Sequence, residues 1–345
     1  MIDLRPLTQG GQTADEIAHE IASFFEPAQR SLDLALYDVR LPSPTADVVR
    51  DALVAAADRG VAVRLAYNVD HSRPVPVPPP PSTVPDLLEA LPVPTRGIPG
   101  VPDLMHHKYV VRDREAVWSG STNWTMDSWQ LQENVVVRLE SRDVAGRFTE
   151  DFEQLWRTRN VETSGRVSAD PVSVDGVETR AWFCPRRGER LVHRIARAIG
   201  SAKRRVRIAS PVITSGPILG TLAQVASDGR VDLAGVVDFT QIQEVLSQWR
   251  ENGNAAWKTP ALTAALTRAP FSGKHSTPYA PEATHDYMHA KVTVCDDTVF
   301  VGSFNLSHSG ELNAENVLEL ADPSLAGRMA AFVDEIRGRY PPVGL

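Results

Sequence analysis

Two segments of this chain carry the same polar side chains in the same order. The first, MHHKYVVRDREAVWSGSTNWT, offers His106, Lys108 and Asp113, then Gly120, Ser121 and Asn123, and afterwards Glu133-Asn134. The second, MHAKVTVCDDTVFVGSFNLS, offers His289, Lys291 and Asp296, then Gly302, Ser303 and Asn305, and afterwards Glu315-Asn316. His and Lys recur at an offset of 183 and Asn and Glu at 182, a register too constant for chance. On an extended strand, residues two apart project to one face, so each His–Lys pair can face a pocket. Two such pairs about a pseudo-twofold axis suit a tetrahedral phosphate. One neutral His can attack phosphorus to form a phosphohistidine, while the other protonates the leaving oxygen and then activates water or an alcohol. The lysines, the Asn side chains and nearby backbone N–H groups would stabilise charge on the non-bridging oxygens. No carboxylate cluster with metal-ligand spacing accompanies the two segments, so neither a metal ion nor another cofactor is expected.

The paired segments resemble the HxKxxxxD and GSxN signature of the phospholipase D superfamily, and the resemblance covers both halves of the chain. It implies that His106 and His289 are nucleophile and general acid/base, with His106 favoured as the nucleophile. It also implies that Lys108, Lys291, Asn123 and Asn305 contact phosphate, and that Glu133 and Glu315 each orient the histidine of their own half. Asp113, Asp296, Ser121 and Ser303 take supporting roles. The wording around the motifs is most similar to phospholipase D-like endonucleases, which makes nucleic acid the expected substrate. Phospholipid is the alternative, for a phospholipase or phosphatidyltransferase, with the Pro/Val/Leu-rich stretch 74–104 as an apolar entrance. Both motifs stand in one chain, so no oligomer is needed to complete the site. A pseudoenzyme that binds without cleaving is disfavoured, because both His, both Lys and both Asn are intact.

The remaining sequence bounds these readings. A chain of 345 residues, 42% hydrophobic and 23% charged, can bury a sizeable core. A net charge of -7 gives no global attraction for polyanions, so a nucleic acid must be held by a local cleft. Cys184 and Cys295 are too few for a disulfide framework and suit a reducing compartment. The first 25 residues lack the pattern of a signal peptide, and no apolar run reaches about 18 residues, so a cytoplasmic protein without membrane insertion is expected.

Positioning the motifs requires an α/β fold of two tandem pseudo-twofold-related halves, residues 1–165 and 166–345, each a mixed sheet flanked by helices. Thr13 and Glu16 predict a capping box for a helix over 14–29, followed by a strand (32–38), a helix from Ser43-Pro44 to Gly60 and a strand (61–67). The same succession recurs as a helix (188–202), a strand (206–212), a helix (216–227) and a strand (231–237). A helix from Ser141 to about Arg159 and a hairpin turn at Asp175-Gly176 connect the halves. The proline-dense stretch from Arg73 to Pro102 reads as a stiff rim or lid with a short helix over 85–91. His71, His193, His275, His285 and His308 read as ordinary core histidines, His107 as packing by alternation, and Trp124 and Trp129 as core. The run Lys203, Arg204, Arg205 and Arg207 reads as a solvated corner.

Overall fold

A computed structural model describes residues 1–69, 86–253, 256–280 and 283–345. Two mixed sheets carry the motifs near their centres. The first orders its strands Ile2–Leu7, Asn134–Glu140, Ala116–Gly120, Lys108–Arg112, Ser31–Leu36, Ala62–Val69 and Thr95–Pro99. The second runs Val172–Val174, Val177–Phe183, Asn316–Ala321, Thr298–Gly302, Val292–Cys295, Arg205–Ala209, Asp232–Asp238 and Phe271–Lys274. In each, a parallel pair joined by a helix leads to the antiparallel motif hairpin: Leu36 opposite Lys108 in the first half, Ala209 opposite Val292 in the second.

Period-two alternation sorts side chains between layers. Leu34 and Val110 pack under the helices Ala14–Phe25 and Thr45–Asp58, while Ala35, Tyr109 and Val111 join Val292, Val294 and Val301 in an apolar layer shared by both halves. The helices Gly188–Ser201, Gly216–Asp228 and Lys258–Thr267 cover the second sheet in the same way. Thr13 and Glu16 form the reciprocal capping box, which ties down the start of the first helix. Asp175 and Gly176 adopt left-handed φ values of 50° and 86° and close the hairpin between Val174 and Val177.

Several local expectations change. The predicted helix over 14–29 ends at Phe25, and the second helix starts at Thr45 with Pro44, not Ser43, at its cap. His193, His275 and His308 are exposed rather than core, and His71 lies outside the described residues. Of the proline-dense stretch, residues 73–85 also lie outside them; the rest forms the helix Asp86–Glu89 and the edge strand Thr95–Pro99. Lys203 and Arg204 are exposed, as a solvated corner requires, with Arg204 paired to Asp297, whereas Arg207 is buried between Asp232 and Asp334.

Asp113 and Asp296 occupy matching hairpin turns, both with left-handed backbone. The Asp113 carboxylate accepts from the N–H groups of Gln29, Arg30 and Ser31 at 3.0, 2.6 and 2.9 Å. Asp296 accepts from Lys203, Arg204 and Arg205 at 2.8, 2.8 and 3.1 Å. Each aspartate therefore pins the start of its parallel strand to the motif hairpin. Desolvation pushes both carboxyls up, but the three N–H donors outweigh it and hold them below the usual range. A carboxylate with a depressed folded pKa stabilises the fold above its unfolded value, near 4, and that contribution is lost as pH falls through the folded value. Asp113→Ala is expected to cost about 3 kcal/mol, since three part-buried N–H groups lose a charged acceptor. Urea unfolding at pH 7 and pH 3 checks this: the difference from wild type should shrink in acid, and an undiminished gap at pH 3 would contradict the account.

Candidate active site

His106 and His289 each stand one residue beyond a bridge that ties the two halves together, Met105 to Ala314 and Met288 to Glu133. The His106 N–H donates to Ala314 O at 2.9 Å and the His289 N–H to Glu133 O at 3.1 Å, so each histidine's backbone is held by the opposite half. The regular motif strands begin only at Lys108 and Val292, so the histidines occupy their extended lead-ins. Alternation still sorts the side chains. His107 turns away into a fully buried network with Asn316 and Asp151.

One pocket is lined by His106, Asn123, His289 and Asn305 together. Lys108 and Lys291 are buried close by, at 2% and 3% exposure, and each ammonium donates to the carbonyl of its own histidine at 2.7 Å. The side-chain oxygens of Asn123 and Asn305 are buried without a hydrogen-bond partner among the described residues. Tyr37 places its ring 4.7 Å from His106 and 4.8 Å from the Lys108 ammonium.

Burial dominates the electrostatics. It pulls both histidines well below their usual range, and the two lysines push in the same direction. Burial also lowers Lys108 to about 7 against the pull of Glu315 and Asp38, and takes Lys291 well down with help from Lys108. Glu315, fully buried, is pushed up to about 7. A buried cluster of four basic groups with one carboxylate holds its protons poorly, and a bound anion would supply the charge that restores them.

The two glutamates do not play equivalent parts. Glu315 Oε1 lies 2.8 Å from His106 Nδ1, across the halves, and not on the histidine of its own half. Glu133 touches neither imidazole: its carboxylate pairs with the Lys274 ammonium at 2.8 Å and accepts from the Tyr340 hydroxyl. The hydrogen-bond register explains why. Ser303 Oγ donates to Glu315 Oε2 at 2.5 Å and Ser303 N to Asn316 O, whereas Ser121 Oγ donates to Asn134 Oδ1 at 2.7 Å and Ser121 N to Val135 O. Gly302 pairs with Val317 and Gly120 with Val136. The structural counterpart of Glu315 is therefore Asn134, whose Oδ1 lies 3.2 Å from His289 Nδ1. The first half has one extra residue in Leu131-Gln132-Glu133, after the short helix Met126–Gln130.

The sequence reading missed one wall of the pocket. Tyr279, His285 and Tyr287 stack there, with centroid separations of 5.2 and 5.4 Å and interplanar angles of 20° and 14°. His285 is thus a wall residue, its Nε2 2.9 Å from Ala280 O. Asp238 caps the helix Phe239–Asn252 and accepts from the Met288 N–H at 2.9 Å, which fixes the approach to His289. Its carboxyl is pushed up to about 6 by burial. No described helix is long and apolar enough to cross a membrane.

Residues 21–156 and 195–337 match the family described as "Cardiolipin synthase, PLD-like domain". A mitochondrial cardiolipin hydrolase of Xenopus tropicalis is 28% identical over 134 residues, 38% of this chain and 56% of the relative. The human protein of that name is 30% identical over 89 residues, 24% of this chain and 35% of the relative. The chain thus spans little more than half the length of the curated relatives it matches. Among solved structures, phosphatidylserine synthase of Haemophilus influenzae Rd KW20 shares the fold at a TM-score of 0.66 and 10% identity, over 98% of this chain and 86% of that one. With the duplicated motif gathered in one pocket and most of both halves matched, the chain belongs to the phospholipase D superfamily.

Proposed function

We propose that this site is a phosphodiesterase working through a phosphohistidine, and that the diester it cleaves belongs to a nucleic acid. The carrying observation is the wall of stacked rings, Tyr279, His285 and Tyr287, that lines the same pocket as His106 and His289. Aromatic faces beside a phosphate site suit bases of a single strand, worth about 1–3 kcal/mol per stacked base. A lipid substrate calls for an apolar entrance, and among the described residues the exposed large apolar side chains Val101, Trp257 and Leu312 do not line this pocket. Lys108 and Lys291 supply positive charge at the phosphate, so turnover is expected to persist in EDTA. The names of the relatives favour a second reading, a phospholipid diester.

The test offers single-stranded DNA, duplex DNA, RNA and vesicles of cardiolipin or phosphatidylcholine to wild type and to His106→Ala, all in EDTA. Cleavage of a single-stranded nucleic acid that disappears in the variant is the expected result. Release of lipid products with every nucleic acid untouched would move the enzyme to the second reading. Inertness toward all of them would overturn the phosphodiesterase assignment.

A further inference from the structure

We propose that Arg40 anchors a second phosphate, the one next to the diester under attack, so that the site takes a stretch of nucleic-acid strand rather than an isolated diester. The inference rests on the phosphodiesterase reading of the site and adds to it a specificity-determining residue and the kind of substrate that residue selects.

Alternation along the strand aims the residue. Val39 joins the apolar cluster of Val49, Leu53 and Trp124, while Asp38 and Arg40 on either side of it line the pocket. The short strand Val39–Arg40 pairs in parallel with Trp124–Thr125, and Arg40 stands opposite Thr125. Thr125 follows Asn123 by two residues, roughly 7 Å of extended chain, and both line the same pocket as His106. Arg40 is thus tied by the backbone ladder to the segment that brings Asn123 into the pocket, at a remove on the scale of one nucleotide step. Its side chain is set in advance. Nε donates to Asp38 Oδ1 at 2.8 Å and Nη2 to Asp38 Oδ2 at 2.9 Å. That fork occupies one edge of the guanidinium. Nη1 and the other hydrogen of Nη2 form a second edge, and Nη1 has no partner among the described residues. A planar group fixed on one edge by a carboxylate offers the other to a phosphate with little freedom left to lose. Burial opposes the charge on Arg40, but the Asp38 fork and the field of Asp127 more than restore it.

The anchor belongs to one half only. Trp124 and Leu306 each follow the motif asparagine, and Val39 pairs with Trp124 where Ile213 bridges Leu306. The counterparts of Asp38 and Arg40 are therefore Val212 and Thr214, neither of which carries charge. The second half brings Glu244 to the pocket instead, an exposed carboxylate on the helix Phe239–Asn252 that repels a phosphate. An extra phosphate is favoured beside Arg40 and disfavoured beside Glu244, so a strand enters the pocket in one direction. The isolated diester of a single-phosphate lipid has nothing to offer the free edge of Arg40.

Dinucleotides of the sugar type cleaved in longer strands measure the anchor: one with a single diester, and the same molecule with a terminal phosphate added at one end or at the other. Wild type is expected to cleave one of the two phosphorylated forms with a kcat/KM about tenfold or more above the plain dinucleotide, mainly through KM, and the other with no such gain. Arg40→Gln should bring that ratio to within about twofold of one. Because the ratio is taken within each protein, any general loss of turnover cancels. Arg40→Lys keeps an ion pair with Asp38 if glutamine leaves that carboxylate stranded and the chain unfolded, and its single ammonium, without a second edge, should lower the ratio too. A wild-type ratio near one for both phosphorylated forms, or an unchanged ratio in a folded variant, overturns the inference. So does a preference for cardiolipin over phosphatidylglycerol vesicles that Arg40→Gln removes while all the dinucleotides stay intact, which would give the second phosphate to a lipid. A wild type inert toward dinucleotides, longer strands and lipids alike would instead remove the phosphodiesterase reading beneath it.

Discussion

His106→Ala is expected to lower turnover of every diester by about 10⁴-fold or more, the scale seen when a covalent nucleophile is deleted, while the protein stays folded. The two halves of that expectation have separate causes. His106 presents the imidazole that Glu315 holds from the opposite half, whereas the other pocket imidazole of the motif pair, His289, is held by the Asn134 amide oxygen. Structurally, its loss is tolerable: Glu315 keeps the Ser303 hydroxyl and the Asn313 amide as donors, and its raised pKa near 7 lets it take a proton when the imidazole is gone. The backbone bond from His106 N–H to Ala314 O does not depend on the side chain. Circular dichroism and a thermal melt should place the variant within a few degrees of wild type, and a stopped assay should find no turnover. A folded variant within tenfold of wild type would end the covalent route, whichever substrate is used.

Much of the frame that holds His106 was legible because it depends on local rules. The Thr13–Glu16 capping box, the Asp175-Gly176 turn and the apolar strand-helix-strand runs each write their geometry into a few neighbouring residues, and the structure follows them to within a few positions. The duplicated His-x-Lys was readable for the same reason, since a residue two along an extended backbone shares a face. The helix over 14–29 stops early at Phe25, because Pro27 has no N–H to donate to the carbonyl four residues back and so cannot continue it.

What escaped the sequence depends on register between distant strands. The identity of Glu133 with Glu315 drew the two copies into alignment one residue out, because matching letters outweigh an insertion of a single residue. Only the hydrogen bonds of Ser121 and Ser303 reveal that Asn134 and Glu315 are counterparts. A signal existed: Ser121 stands 13 residues before Asn134, and Ser303 stands 12 before Glu315. Its meaning needed the knowledge that the serine hydroxyl grips the residue behind the histidine. The pocket wall escaped for another reason. Tyr279, His285 and Tyr287 come from an irregular segment between the strand Phe271–Lys274 and the motif, where no period of 2 or 3.6 marks a face.

Lys108→Met is expected to lower turnover by about 10²–10³-fold and, at the same time, to make the protein more stable. The first effect follows from losing a fixed positive charge at the phosphate in a dry site. The second follows from where the ammonium is kept: it is 2% exposed, with one carbonyl at 2.7 Å and the Tyr37 ring 4.8 Å away as close partners, and burial lowers its pKa from 10.5 to about 7. Below pH 7 the lysine is protonated in both the folded and unfolded chain, so the fold bears the whole cost of burying the charge. Between pH 7 and 10.5 the unfolded chain binds the proton and the folded chain does not, so wild-type stability rises with pH across that window. Methionine, of similar length and without the charge, should therefore gain on the order of 1–4 kcal/mol at pH 6, and the gain should fade as pH approaches 10. Denaturant unfolding of both proteins at pH 6 and pH 10 measures this directly. A variant less stable than wild type at pH 6 would mean that the ammonium is held by the fold for its own sake. The opposed signs are the informative result, because a residue that weakens the fold and is needed for turnover is one whose charge is balanced only when the substrate phosphate is bound.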